Sequence, residues 1–265
     1  MSLFAVEAHR VLSRRITKIL VLVCLGAIVL IAILVFVNTS DTVTSTHDDR
    51  FIATDFVRDQ AGESGIVAAV ALPLVLFVLI LSASLVGGDW RAGTIGVLLT
   101  WEPRRVRVLL VKALVTALAA ATFVIVLEVL LIGALWPSAV FHGTTAGTDA
   151  EFWRELAGEL LRVGFVAAVV ALIGFSFASL GRNTAAALAG VVVYFVIVEN
   201  VIRTFASGWA RWFFSDNLFV VILGSAEDAE AEFSTTAGSS ALLLAAYAAA
   251  FVLIAVAAFR ARDVA

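Results

Sequence analysis

The sequence predicts an all-α integral membrane protein with six transmembrane helices. Hydrophobic residues make up 62% of the 265 residues and charged residues only 15%, and the mean hydropathy of +1.06 excludes an ordinary soluble domain. Six apolar runs reach the length of about 20 residues that a membrane-spanning helix needs. They occupy residues 16–37, 65–86, 108–136, 163–180, 184–202 and 241–259. Lipid does not tolerate unpaired backbone groups, and these runs do not alternate as barrel strands do, so we expect helices.

Residues 1–15 precede the first span and are expected to form an interfacial, or elbow, helix. In a helix, one side would be apolar and the other charged. The apolar side would hold Phe4, Ala8, Val11 and Leu12, and the charged side Glu7, Arg10 and Arg14. A basic amphipathic helix of this kind lies in the membrane interface rather than across it. The alternative is a helical tail with an ordinary basic flank.

The first span, residues 16–37, is not expected to be a cleaved signal peptide. It is too long for the apolar core of such a peptide and ends without a small-x-small cleavage site. Cys24, inside this span, is the single cysteine of the chain. A disulfide within the chain and a thiolate metal site are therefore both excluded.

The connection between the second and third spans carries the most specific signal. Residues 87–112 read GGDWRAGTIGVLLTWEPRRVRVLLVK. In a helix, Ile95, Leu98 and Leu99 would share one face at i, i+3 and i+4. Because an exposed apolar face of this kind marks a partner-binding surface, we expect a short docking helix over 91–100. The alternative is a loop that packs against its own bundle.

The residues around this face also fit a docking segment. Asp89 is expected to cap the short helix and Pro103 to end it. Lys112, in the third span, is expected to extend back toward the lipid headgroups. The predicted docking residues are Asp89, Arg91, Thr94, Ile95, Leu98, Leu99, Pro103, Arg104 and Arg105.

The distribution of positive charge predicts the orientation. With both termini in the cytoplasm, the inner segments hold Lys and Arg residues in two-to-one excess over the outer loops, as the positive-inside rule requires. The docking segment then lies on the cytoplasmic side. We therefore expect a multi-pass protein of the cytoplasmic (inner) membrane.

Two outer connections are rich in aromatic residues. In the connection over 137–162, we expect Phe152, Leu156 and Leu160 on the bilayer surface. Residues 203–238 contain several Trp and Phe residues. These fit an aromatic belt at the membrane edge, and a re-entrant hairpin that closes an outward gate is the alternative.

Glu128 is the one acidic residue well inside a predicted span. Burying an acidic side chain in lipid costs free energy, so a functional role is the first hypothesis for such a residue. Either Glu128 lines a transport path and contacts a polar or cationic part of the cargo, or it is a hydrogen-bonded acid that fixes helix contacts, for example with Tyr194. Glu199 lies near the end of its span, where an acid costs less, and is assigned to helix contacts.

Residues 89–112 resemble the signature of ABC-2 type transporter permeases. The matching positions are Asp89, Gly93-Thr94, Leu98-Leu99, Pro103, Arg104-Arg105 and Lys112. The interfacial helix with Glu7, the six spans and the cytoplasmic termini are also similar to that family. Trp101 and Glu102 stand where members often have small or polar residues, which bears on the choice of partner rather than on the class.

This resemblance implies one permease domain over residues 1–265 that exports an amphipathic or hydrophobic substrate, such as a lipid, drug or antibiotic. It implies a dimer of two identical or similar permease subunits, bound through the coupling helix over 91–100 to two cytoplasmic ATPase subunits. ATP and Mg²⁺ are expected in those partners and no cofactor in this chain, because the sequence contains no G-x-x-x-x-G-K-[ST] phosphate loop.

Three other classes stay open. An ion-coupled secondary transporter would use intramembrane charges and often has inverted repeats, and a lipid-modifying intramembrane enzyme would need convergent catalytic groups. The third is a non-transporting assembly factor. The sequence contains neither H-E-x-x-H nor G-x-S-x-G, and its three His residues have no metal-ligand spacing. Neither catalytic residues, a metal site nor a nucleic-acid partner is therefore predicted.

Overall fold

The computed structural model describes residues 3–41, 52–57, 65–101, 104–229, 231 and 233–261. Its α-helices are α1 (Leu3–Ser13), α2 (Arg15–Asp41), α3 (Ile66–Arg91), α4 (Thr94–Trp101), α5 (Arg105–His142), α6 (Ala150–Gly181), α7 (Thr184–Val192), α8 (Glu199–Phe205), α9 (Phe214–Leu223) and α10 (Ala237–Ala261). A π-helical turn, Val193–Val198, joins α7 to α8. Two 3-10 helices, Ala53–Phe56 and Ser207–Trp212, lie in connections.

Six helical segments are long and apolar enough to cross a membrane. They are Arg15–Asn38, Ile66–Arg91, Arg105–His142, Ala150–Gly181, Thr184–Phe205 and Ala237–Ala261. The outward sides of these helices carry large apolar side chains such as Leu22, Leu114 and Leu242, each more than half exposed. Such surfaces suit lipid rather than water. The predicted helical architecture with six candidate spans is confirmed, and it indicates a multi-pass membrane protein.

Helix α6 lies at the centre of the bundle. Of its most apolar stretch, 72% is buried, against 11% for α2, and it packs along α3 and α5. Two glycines on α6 allow this close approach. A Cβ atom at Gly174 would lie 3.2 Å from the carbonyl oxygen of Leu79 on α3, and one at Gly164 would lie 2.8 Å from Cγ1 of Ile125 on α5.

Helices α3 and α5 continue past the predicted ends of their spans. The third span was expected to end at residue 136, but α5 continues through Pro137 to His142. Proline removes one backbone hydrogen bond from a helix, and the burial of Ser138 and Ala139 just beyond it holds this turn in place. Helix α3 likewise continues past residue 86 to Arg91, which brings Asp89 into the last turn of a long helix.

Helix α6 begins at Ala150 instead of residue 163, so the expected surface position of Phe152 and Leu156 is wrong. The carboxylate of Asp149 accepts hydrogen bonds from the backbone amides of Glu151 and Phe152, each at 3.0 Å, and caps the helix. The added turns bring Phe152 and Leu156 into the core, where they are 5% and 3% exposed. Leu160 packs partly against the same core.

Residues 203–238 combine features of both predicted alternatives. Trp209 and Trp212 are exposed, as expected for an aromatic belt. Helix α9, in contrast, packs against α6 and α10, and its Val220 and Val221 are buried. With ten residues, α9 is too short to cross a bilayer.

Candidate functional site

Three helices bring charged side chains together at the end of the bundle where α4 lies. Helix α1 contributes Glu7 and Arg10, the last turn of α3 contributes Asp89, and α5 contributes Lys112. Arg14 lies between α1 and α2. We call these five residues the ionic cluster. Glu7 and Lys112 are 105 residues apart in the chain, so only the tertiary fold assembles the cluster.

Lys112 connects the two carboxylates of the cluster. Its Nζ donates to Oε2 of Glu7 at 2.8 Å and to Oδ2 of Asp89 at 2.7 Å. Lys112 is 8% exposed, and Glu7 and Asp89 are 5% exposed. Charges buried in this way need close partners of opposite sign, and here each of the three has one.

The two arginines complete the cluster. Arg10 donates to Oε1 of Glu7 at 3.3 Å and to Oδ1 of Asp89 at 3.2 Å. Arg14 donates to the same Asp89 oxygen and, through Nη1, to the backbone carbonyl of Leu85 at 2.8 Å. The adjoining cavity has a volume of about 20 Å³, which is room for about one water molecule. The cluster is therefore suited to joining helices rather than to holding a ligand.

The structure corrects the roles predicted for Asp89 and Lys112. Asp89 belongs to α3, and its carboxylate pairs with the cluster instead of capping α4. Only its backbone carbonyl reaches α4, where it accepts a hydrogen bond from Oγ1 of Thr94 at 3.1 Å. Lys112 turns into the protein rather than toward lipid headgroups. In both cases a side chain of opposite charge replaces the expected partner, which was the backbone of α4 for Asp89 and a lipid headgroup for Lys112.

Helix α1 corresponds to the helix predicted over 1–15, but its two sides are used differently. Glu7 is buried rather than facing water, and Val11 is buried beside it. Phe4 and Leu12 are 42% and 68% exposed. The ionic cluster turns the charged side of α1 toward the bundle, so the apolar side is divided between the bundle and the exterior.

Helix α4 follows a sharp change of direction at Gly93, which has a φ of +64°, a conformation that favours glycine. Ile95 is 5% exposed and packs in a core cluster with Val86 and Phe259. The structure therefore places Ile95 against its own bundle, as in the alternative reading, and not on a free face. Helical geometry puts positions 98 and 99 on the same side of α4 as Ile95.

Another side of α4 is exposed. Gly96 and Thr100 are exposed and lie four residues apart along it. We call these two residues the open face of α4. Arg91 and Arg104 are exposed at its two ends, and Arg105 is half-buried. Pro103 lies outside the described residues, and of Leu98 and Leu99 only the backbone, in α4, is described.

Glu128 is fully buried on α5. Neither of its carboxylate oxygens has a hydrogen-bond partner within the part of the chain that the structure describes. The partner suggested by the sequence, Tyr194, lies beside Glu199 instead. Glu159 on α6 lies close enough for its charge to act on Glu128, so the bundle holds a pair of buried acids.

Glu159 was missed because the sequence placed it in an outer connection. Phe152, Leu156 and Glu159 recur at i, i+4 and i+7, the spacing of one helix face, and all three are buried. That spacing could have shown that α6 begins early. Among the described residues, no group of three or more His, Cys, Asp or Glu side chains could hold a metal ion.

Glu199 acts in helix contacts, in agreement with the role expected for it. Its Oε1 accepts hydrogen bonds from the backbone amides of Phe214, at 2.8 Å, and Ser215, at 3.3 Å, and its Oε2 accepts one from the Ser215 hydroxyl. These donors belong to the first turn of α9. Glu199 thus caps α9 from a different helix.

The comparisons with known proteins identify a family but no activity. No curated protein matches the chain. A family model described as "Protein of unknown function (DUF2705)" matches residues 61–265, a region that includes Asp89, Lys112 and Glu128 but not Glu7. Since this match covers more than half of the chain, the protein belongs to the DUF2705 family.

Proposed function

We propose that the chain is the transmembrane permease subunit of an ATP-driven exporter of the ABC-2 type. Two such subunits, identical or similar, would form the path across the cytoplasmic membrane for an amphipathic or hydrophobic substrate. Two separate cytoplasmic ATPase subunits would bind and hydrolyse ATP with Mg²⁺. The resemblance of residues 89–112 to that family supports this proposal.

The observation that carries the proposal is the attachment of α4 to the bundle. Thr94, at the start of α4, is bonded to the backbone of Asp89, and the Asp89 carboxylate is bonded to Lys112 on α5 and Arg10 on α1. A force on α4 is therefore passed to three helices together. Packed helices move as rigid units between discrete arrangements, so closure of the ATPase pair would switch the bundle between inward- and outward-open states.

The structure changes which residues of the segment are best suited to contact the ATPase. With Ile95 packed in the bundle, the open face of α4 is the accessible surface. Its small residues allow a partner helix or loop to approach closely, and Arg91 and Arg104 at its ends suit acidic groups. The docking role of Leu98 and Leu99 stays a prediction.

A bulky side chain at Gly96 tests the docking surface. A Cβ atom at Gly96 would meet no atom within 4 Å, so Gly96→Gln should leave the bundle intact and obstruct only a partner. We expect a candidate ABC ATPase from a neighbouring gene to co-purify with the native chain and not with Gly96→Gln. Gly208→Gln is the matched control, because Gly208 is equally uncrowded and lies near the other end of the bundle. Equal recovery of the ATPase with both variants would count against docking on α4.

An ion-coupled secondary transporter is the second candidate, and the buried pair of Glu128 and Glu159 favours it. Intramembrane carboxyl groups of this kind carry protons or cations in such transporters. The exporter proposal predicts substrate movement in proteoliposomes that requires ATP and the ATPase. The second candidate is correct if an imposed proton gradient drives transport without ATP and Glu128→Gln abolishes this transport. The control is Glu151→Gln, on the exposed start of α6, which should leave the transport unchanged.

A further inference from the structure

A cavity of about 180 Å³ lies between α6, the π-helical turn, α9 and α10. Its wall is largely aromatic. The rings are those of Phe177, Tyr194, Phe195, Phe214, Tyr247 and Phe251. They face in different directions, since Phe195 and Phe214 meet edge to face with centroids 5.4 Å apart, and Phe177 and Phe251 are tilted with centroids 5.2 Å apart. A guest would therefore meet aromatic surface on several sides.

The two tyrosine hydroxyls of this wall are already engaged by the protein. Tyr247 donates a hydrogen bond to the backbone carbonyl of Trp212 at 2.8 Å. The hydroxyl of Tyr194 lies beside the carboxylate of Glu199. The cavity therefore offers a guest its ring surfaces rather than hydrogen-bond donors. An anion would lose its hydration there without compensation.

A negative charge lies directly behind this aromatic wall. Glu199 is 2% exposed, and its contacts in the described structure are with amides and hydroxyls, not with a Lys or Arg side chain. The neighbouring Arg203 pairs with Asp216 at 2.7 Å. The field of Glu199 therefore acts on the side of the cavity formed by Tyr194 and Phe214 without a close cation to balance it.

We propose that this cavity binds a small organic cation, such as a methylated ammonium group. The faces of aromatic rings attract such cations, and the Glu199 carboxylate lies beside this wall, bonded to the Phe214 amide. The volume is close to that of a cavity of about 150 Å³ that binds benzene, and below the roughly 300–1,000 Å³ of sites for drug-sized ligands. The site therefore takes a single head group. It lies away from α4 and does not depend on the exporter proposal.

Binding of choline to the purified chain tests this site. The chain is kept in a maltoside detergent without choline lipids, and isothermal titration calorimetry compares choline with 3,3-dimethylbutan-1-ol, which has the same shape but no charge. We expect choline to bind at least about tenfold more tightly than the alcohol, because only the cation gains from the ring faces.

Two variants, each with a matched control, locate the site. Glu199→Gln removes the charge and Phe251→Leu removes one ring, and we expect each to weaken choline binding about tenfold. Glu227→Gln removes an exposed carboxylate outside the wall, and Phe205→Leu removes a ring that is 85% exposed. Both controls should bind choline as the native chain does.

Three results would overturn the proposal: equal binding of choline and the neutral alcohol, no choline binding to the folded native chain, or unchanged binding by Phe251→Leu. The first two results are measured on the native chain alone. They therefore test choline binding even if Glu199→Gln does not fold because it loses part of the cap of α9. No ATPase is present in the assay, so its result is independent of docking on α4.

Discussion

Lys112 is the residue on which the ionic cluster depends most, because it pairs with two buried carboxylates. Removing one partner of a buried ion pair costs about 3–5 kcal/mol, since a charge stays behind in a poorly solvated site. We expect Lys112→Met to lower the free energy of unfolding by this amount. It corresponds to a fall in Tm of roughly 6–20 °C, measured by thermal unfolding in detergent.

The control for this prediction is Arg154→Met. Arg154 pairs with Glu151 at 2.9 Å, but both side chains are more than 60% exposed, and exposed pairs contribute only about 0–1 kcal/mol. If Lys112→Met and Arg154→Met both unfold near the Tm of the native chain, the cluster does not stabilise the bundle.

The ionic cluster also shows what the sequence does not predict about single residues, namely which charged side chains pair with one another. The charges of Glu7, Asp89 and Lys112 are visible in the sequence, and the resemblance singles out all three. Their pairing is not visible, because each of these residue types is equally compatible with solvent or headgroups until the fold brings Glu7 within 2.8 Å of Lys112. The same holds for Glu128, whose neighbour Glu159 is 31 positions away on another helix.

The packing of α3 against α6 leaves little spare room at Gly174. A Cβ atom at Gly174 would lie 3.0 Å from Cδ1 and 3.2 Å from the carbonyl oxygen of Leu79. We expect Gly174→Val to destabilise the bundle by about 1–3 kcal/mol, as overpacking does, and thermal unfolding in detergent measures it. Gly133→Val is the matched control, because a Cβ atom at Gly133 meets nothing within 4 Å. Similar unfolding of the two variants would contradict the tight α3–α6 contact.

At the scale of elements, the long apolar runs predicted the six spans well and their ends poorly. The ends depend on local caps such as Asp149 and on packing beyond Pro137, neither of which changes the hydropathy of the run. Helix α4 illustrates a different limit. In the sequence, its apolar side fits a partner and the chain's own bundle equally well. The structure places Ile95 of this side in the bundle, and the docking role of Leu98 and Leu99 stays a prediction.

At the scale of the whole molecule, the bundle has one densely packed centre and a broad apolar exterior. Helix α6 is the most buried span, whereas α2 and the segment Thr184–Phe205 are only 11% and 18% buried over their most apolar stretches. Such surfaces are compatible with lipid and with a second copy of the chain. The excess of Lys and Arg at the end that carries α4 supports a cytoplasmic position for that end.

The proposed function requires that α4 is the contact between the bundle and a separate ATPase. Site-specific cross-linking tests it most directly, with Gly96→Cys or Gly208→Cys in a Cys24→Ala background. Cys24 is the single cysteine of the chain, so in this background only the introduced thiol reacts with a short maleimide that carries a photoactivatable group, and light then joins that group to an adjacent protein. We expect Gly96→Cys to cross-link to the co-expressed ATPase subunit and Gly208→Cys not to do so. If Gly96→Cys instead reacts with a membrane-impermeant maleimide added outside intact cells and yields no cross-linked ATPase, the claim is wrong.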